Sequence, residues 1–245
     1  MFKIRIAELT AELDNRYAHV EKQCQAYRVS AKVPSDIVAT ATEEEIEREL
    51  ALDGEGHEAG YAESICLYRS IASQLHTFDA FLMHGAVIGF EGKAYAFLAK
   101  SGTGKSTHIR LWRTHLKDGV LPVNGDKPIL RFQGDALTAY GTPWAGKEGW
   151  QRNVGLPLAG ICLLARGEAN RIERLQPRQA VPSLMRQIYL PNEPMGAVAT
   201  MALIDRLTAS VPIYALWCDM SEEAVKTSFE AMTGLSFLQA KGKYQ

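Results

Sequence analysis

Residues suited to gripping a phosphate chain stand together in Ala99-Lys-Ser-Gly-Thr-Gly-Lys-Ser-Thr107. Gly102 and Gly104 let the backbone curl so that successive N–H groups point inward at an anion. A helix beginning near Lys105 adds its positive dipole end to the same spot. Lys105 supplies a full charge to the outer phosphates, and the Ser106 hydroxyl suits a magnesium ion. Ser101, Thr103 and Thr107 complete the expected nucleotide-binding loop, for which ATP and Mg2+ are the expected ligands. The strict pattern for such a loop opens with glycine, and here Ala99 stands in that place.

A triphosphate site also needs a carboxylate near the metal, usually at the end of a strand beside the loop strand. Asp126 follows the apolar run Gly119-Val-Leu-Pro-Val and is the candidate, although an Asp beside Gly125 also suits an ordinary turn. The segment Gly141-Thr-Pro-Trp-Ala-Gly-Lys-Glu-Gly-Trp150 is glycine-framed, with two tryptophans. Lys147 could neutralise charge on a transferred phosphoryl group, and Glu148 or Asp126 could accept a hydroxyl proton. The plainer alternative packs Trp144 into the core and leaves Lys147 in water. His84 suits either the phosphates or a hydrogen-bonded place in a strand. Arg166, Arg171, Arg174, Arg178 and Arg186 read as a solvated face rather than contacts to an acidic substrate. His108 and His115 are expected to face solvent.

The elements that must hold these residues follow from periodicity. Ala94 to Leu98 is a continuous apolar run, as a buried strand requires, and Ile109, Trp112 and Leu116 recur at helical spacing after the loop. Strands are expected at Phe2 to Ala7, after Pro34, across Phe81 to Phe90, at Val120 to Val123, Leu156 to Ala165 and Ile213 to Cys218. Pro128 to Phe132 and Ala136 to Tyr140 read as a hairpin. Helices are expected after a Thr40 or Thr42 cap, from about Tyr61 to Phe78 (Ile65, Leu67, Ile71 and Leu75 inward), at Ala180 to Ile188, Met195 to Thr208 and Ser221 to Met232. Asp53 to Glu58 reads as a loop. Hairpins mixed with helix-separated strands argue for an α/β fold with a mixed sheet. Residues 1–60 read as a strand and helix segment packed on a nucleotide-binding domain of residues 61–245, the two continuous.

Bulk properties bound the rest. The 245 residues are 47% hydrophobic and 22% charged, with a formal net charge of -1, which provides no bulk drive toward nucleic acid or anionic membranes. The four cysteines lack metal-ligand or redox spacing, and the first residues lack a signal-peptide core. The longest nearly apolar segment, Met195 to Ile204, is too short to span a bilayer. A reducing cytoplasm is the expected location.

The succession His84-Gly-Ala-Val-Ile-Gly-Phe-Glu-Gly-Lys-Ala, the phosphate loop, Asn124-Gly-Asp-Lys-Pro and Gly141-Thr-Pro-Trp-Ala-Gly-Lys147 resembles the HPr kinase/phosphorylase-like proteins. The resemblance runs from about Met83 to Trp150 and more weakly onward. It implies the phosphoenolpyruvate carboxykinase-type nucleotide fold, with the loop at Ser101 to Ser106 and the metal-linked acid at Asp126. The family closes that strand with two consecutive acids, and Gly125 stands at the first here. The stretch that follows also differs, so the chain is similar to the divergent HPr-kinase-related group. What this implies is an ATP-dependent kinase acting on a hydroxyl, of a peptide serine or a small metabolite. HPr kinases assemble as hexamers, so a homo-oligomer is among the expectations. A nucleotide sensor without transfer is the alternative that Gly125 raises. A carboxykinase acting on a small acid is a third, for which no His/Lys/Asp metal set is visible.

Overall fold

Alternation at the start of the chain builds a strand: β1 (Phe2–Ile6) buries Phe2, Ile4 and Ile6 and turns Arg5 to solvent. The computed structural model describes residues 1–52, 56–100 and 102–244, so part of the expected 53–58 loop and Ser101 lie outside the described residues. Strand β1 pairs with β2 (Leu9–Asp14) and β3 (Arg28–Val29), and β4 (Ile37–Thr40) runs parallel to β2. A short helix α1 (Ala18–Gln23) links β2 to β3.

Of the two expected caps, Thr42 does the work for α2 (Glu43–Leu52). Its N–H donates to Glu45 Oε2 at 2.8 Å, and its Oγ1 accepts from the Glu45 N–H at 3.2 Å, a reciprocal capping box. The next helix, α3 (Ala59–Ala72), stops earlier than its periodicity suggests and yields to a 3-10 turn at Leu75–Phe78. Leu67, Ile71 and Leu75 are buried, whereas Ile65 is only partly so. This helix and the N-terminal sheet share one core cluster with Ile129, Tyr140 and Trp144 of the rest of the chain.

Among the described residues, the second sheet has nine strands. The expected Phe81 to Phe90 strand is two: β5 (Ala80–Leu82) and β6 (Ala86–Phe90). They separate because β5 pairs with β9 (Ile129–Gln133) while β6 pairs with β7 (Lys93–Leu98) and β8 (Val120–Asn124). Strand β9 forms the expected hairpin with β10 (Ala136–Tyr140). The long β11 (Gly155–Arg166) joins everything, antiparallel to β10 and parallel to both β7 and β13 (Ile213–Cys218). An edge strand β12 (Arg171–Arg174) closes against β13. The sheet is mixed, as expected.

Side-chain alternation along β7 explains the layers. Tyr95 and Phe97 face α4 (Lys105–Leu116), α7 (Glu222–Thr233) and α8 (Phe237–Lys243), while Ala94, Ala96 and Leu98 face α5 (Pro177–Met185) and α6 (Pro194–Ser210). Ser221 stands at the N-cap of α7, but its hydroxyl donates to Asp219 and leaves the helix end uncapped by that side chain. Among the described residues, no helix is long and apolar enough to cross a membrane.

Candidate phosphate-binding site

Strand β7 ends buried, and the chain then reverses into α4 through the glycine-rich loop. Gly102 and Gly104 hold φ of +75° and +117°. An added Cβ at either would meet nothing within 4 Å, so their glycine identity answers the backbone angle and not a lack of room. Gly104 is the N-cap of α4, which starts at Lys105 as the sequence predicts. The loop is further held from a distance: Arg166, at the end of β11, donates from Nη2 to the Gly102 carbonyl at 2.6 Å. That arginine belongs to the group expected to form a solvated face; it is exposed, as expected, and in addition braces the loop. The parallel register of β11 with β7 brings it to the loop.

Asp126 stands across from Lys105, on a turn after β8. Strand β8 is not beside the loop strand, since β6 lies between them. The turn that carries Asp126 reaches back over β6, where its carbonyl accepts from the Gly85 N–H at 2.9 Å. Asn124 shapes this turn: its Oδ1 accepts from the N–H groups of Asp126 and Lys127 at 2.9 and 2.7 Å, and its Nδ2 donates to the Thr142 carbonyl at 3.0 Å. Sequence reasoning assigned Asn124 no task, though an Asn-Gly-Asp run is a ready side-chain-to-backbone turn former.

Two ammonium groups and an imidazole converge on the Asp126 carboxylate. His84 Nε2 lies 3.0 Å from Oδ1, Lys105 Nζ 3.8 Å from the same oxygen, and Lys127 Nζ 3.1 Å from Oδ2. Burial works to raise the Asp126 pKa. The hydrogen bond from His84 and the charge of Lys127 more than offset it and hold the carboxyl at about 2. Burial pushes the Lys105 ammonium below its ordinary value, and Asp126 opposes that. His84 lies between β5 and β6 and not within the expected strand; its side chain is hydrogen-bonded to Asp126 and lines the cleft.

The Gly141–Trp150 loop folds over the far side. Gly125 donates its N–H to the Trp150 carbonyl at 2.8 Å, and Lys127 donates to the Trp144 carbonyl at 3.1 Å. A Cβ on Gly125 would sit 2.5 Å from the Ala145 carbonyl oxygen, so the approach of this loop leaves no space for an acid there. Trp144 is buried in the core shared with the N-terminal sheet and donates from Nε1 to the Ser64 carbonyl at 3.1 Å. Lys147 is exposed, so with the burial of Trp144 the loop follows the plainer alternative; Lys147 and Glu148 both line the open cleft. Glu148 forms an ion pair with Arg110 of α4, tying the loop to the phosphate helix.

The resulting cleft has a volume of about 440 Å3, and Gly102, Gly104, Lys105, Ser106, Thr107, Asp126, Lys147 and Glu148 all line it. Thr103 faces away, into two neighbouring cavities. His108 and His115 do not face solvent as expected. His108 is buried against Ser228 Oγ at 3.0 Å, and burial holds its imidazole down to about 4. His115 is half-buried beside Glu222 at 3.4 Å.

Among the described residues, no cluster of three or more His, Cys, Asp or Glu side chains could hold a metal alone. Magnesium does not demand one, because it keeps several waters and binds through one or two carboxylates plus substrate phosphates. An ionised Asp126 and the Ser106 hydroxyl in one cleft fit that donor set.

No family model matches the sequence, and no curated protein matches it. Among solved structures, the chain is similar in shape to the Hpr(Ser) kinase/phosphatase from Coxiella burnetii, with a TM-score of 0.35 and 12% identity. That match covers 62% of this chain and 93% of the other.

Proposed function

We propose that this chain is an ATP-dependent, Mg2+-requiring phosphotransferase of HPr-kinase-like type that moves a γ-phosphoryl group to a hydroxyl. One observation carries the reading. A glycine-turned helix N-terminus, a half-buried lysine and a carboxylate held ionised share a single cleft. That combination grips a polyphosphate and its metal together.

In this reading the loop amides and Lys105 hold the outer phosphates, and Ser106 and Asp126 hold magnesium. When bound, the metal neutralises charge on the phosphate oxygens. Lys147 adds charge from the opposite wall. The attacking hydroxyl oxygen bonds to the γ-phosphorus as the bond to the bridging β–γ oxygen breaks, and the electron pair leaves with ADP. The hydroxyl proton needs an acceptor. Asp126, held near 2, is a weak base, and Glu148 is engaged by Arg110. We therefore assign the proton to His84 in place of those two. With Asp126 ionised, the His84 Nε2 donates to it, which leaves Nδ1 as the basic ring nitrogen.

Incubation with γ-labelled ATP, Mg2+ and a panel of hydroxyl acceptors tests the reading, with Asp126→Asn alongside. Label should move to an acceptor and fail to move in the variant. Saturable ATP binding with no transfer to any acceptor would instead support the nucleotide sensor, which the absence of an acid at Gly125 favours.

A further inference from the structure

A second cavity, of about 520 Å3, lies beyond the strand ends between α5 and β12. It meets the phosphate cleft along Ala99 and Lys100, which line both. Leu163, Leu175 and Trp217 make its wall apolar. Two polar groups on its wall stand without a partner among the described residues, one buried and one, Arg186, exposed. Gln187, which lines the cavity, carries a buried Oε1 with no hydrogen-bond donor among the described residues. A buried acceptor left unmatched is costly, and a ligand O–H would satisfy it. Arg186, its neighbour in the chain and on the same wall, forms no ion pair among the described residues. Lys100, Arg166 and Arg186 outnumber Glu173, the one carboxylate among the described lining residues, which lies 3.5 Å from Arg171.

The cavity is placed beside the reacting end of the cleft. Lys105, Asp126 and His84 mark the position of the outer phosphate, and the Gln187 carbonyl accepts from the His84 N–H at 2.6 Å. A further cavity of about 470 Å3 abuts the first along Thr103, Leu164, Ala165 and Arg166 and runs past Thr107, His108 and Leu111 toward Met220. It follows α4 away from Asp126, which suits the nucleoside.

We propose that the cavity walled by Arg186, Gln187 and Trp217 is the acceptor pocket, and that it takes a small organic anion with an apolar body and a hydroxyl, of the hydroxy-acid class. This rests on the phosphotransferase reading. Arg186 receives the anionic group, Trp217 and Leu175 cover the apolar body, and Gln187 Oε1 accepts from a ligand hydroxyl. That same hydroxyl forms the new P–O bond as the bond to the β–γ bridging oxygen breaks, its proton leaving as in the transfer described above. A concave pocket of this size suits a small molecule and not a flat protein face.

The test is a ligand-observed NMR titration of the full chain with 3-phenyllactate and, in parallel, its neutral amide. Mg2+ and a non-hydrolysable ATP analogue are present, and analogue affinity is measured on the same samples. We expect saturable phenyllactate binding in the low-millimolar range. Arg186→Ala should weaken it by about tenfold or more, with Arg186→Lys recovering most of the loss, the amide binding as weakly as acid to the Ala variant, and the analogue unaffected throughout. Failure of phenyllactate to saturate, or indifference to Arg186→Ala, overturns the proposal while leaving the phosphotransferase reading intact. Weakened analogue binding in Arg186→Ala overturns it too, since the cavity would then hold the nucleoside. Failure of the wild-type chain to bind the analogue at all sinks the phosphotransferase reading itself.

Discussion

His108 follows the phosphate loop directly, and its burial makes the stability of α4 depend on pH. Its ring is packed under Phe97 and hydrogen-bonded to Ser228, with burial taking the imidazole from 6.5 to about 4. The folded pKa is depressed, so the unfolded chain binds the proton first, and stability falls as pH drops through the window from 6.5 to 4. At 1.36 kcal/mol per unit, the full shift corresponds to about 3 kcal/mol, of which about 2 kcal/mol is already lost at pH 5. For a chain of this length that is a fall in Tm of about 4–8 °C. The perturbation is His108→Gln, which keeps a hydrogen-bonding group near the position of Nε2 but carries no titratable proton. Urea unfolding followed by tryptophan fluorescence, at pH 7.5 and pH 5, should show the wild type losing more stability than the variant by about 2 kcal/mol. Carboxylates elsewhere titrate in both proteins and cancel in the difference. If wild type and variant weaken in parallel, burial does not hold this imidazole neutral and the reasoning is refuted.

Lys105→Ala should reduce ATP affinity and any transfer rate by about 100-fold, or about 3 kcal/mol, as read by calorimetry with Mg2+. An unchanged binding isotherm would remove Lys105 from the phosphate site. Gly125→Ala should destabilise the chain by about 1–3 kcal/mol, because the new Cβ would lie 2.5 Å from the Ala145 carbonyl oxygen and the loop must shift. Thermal denaturation checks this, and a Tm equal to wild type contradicts the close approach. Arg166→Ala frees the Gly102 carbonyl from its side-chain donor. It should weaken ATP binding several-fold while the urea midpoint barely moves, since the contact orders an exposed loop and buries little. Loss of stability with intact nucleotide affinity would show the reverse role.

What could be read from residue order alone was local. The glycine spacing around residue 104, the helix that starts at Lys105, the Thr42 cap and the β9–β10 hairpin each depend on neighbours within a few residues, and their backbone angles and hydrogen bonds follow from that short range. The mixed sheet was legible for the same reason, through periodicity and the lengths of the connections. Tertiary structure decided the rest. Only the strand order puts β6 between β7 and β8 and so brings His84 to Asp126. Only the parallel register of β11 delivers Arg166 to a carbonyl 64 positions away in the chain. The packing of α4 on α7 buries His108, and the crossing of two loops excludes a side chain at Gly125. These contacts join segments whose separation along the chain carries no periodic signal, because what selects them is burial and register in three dimensions.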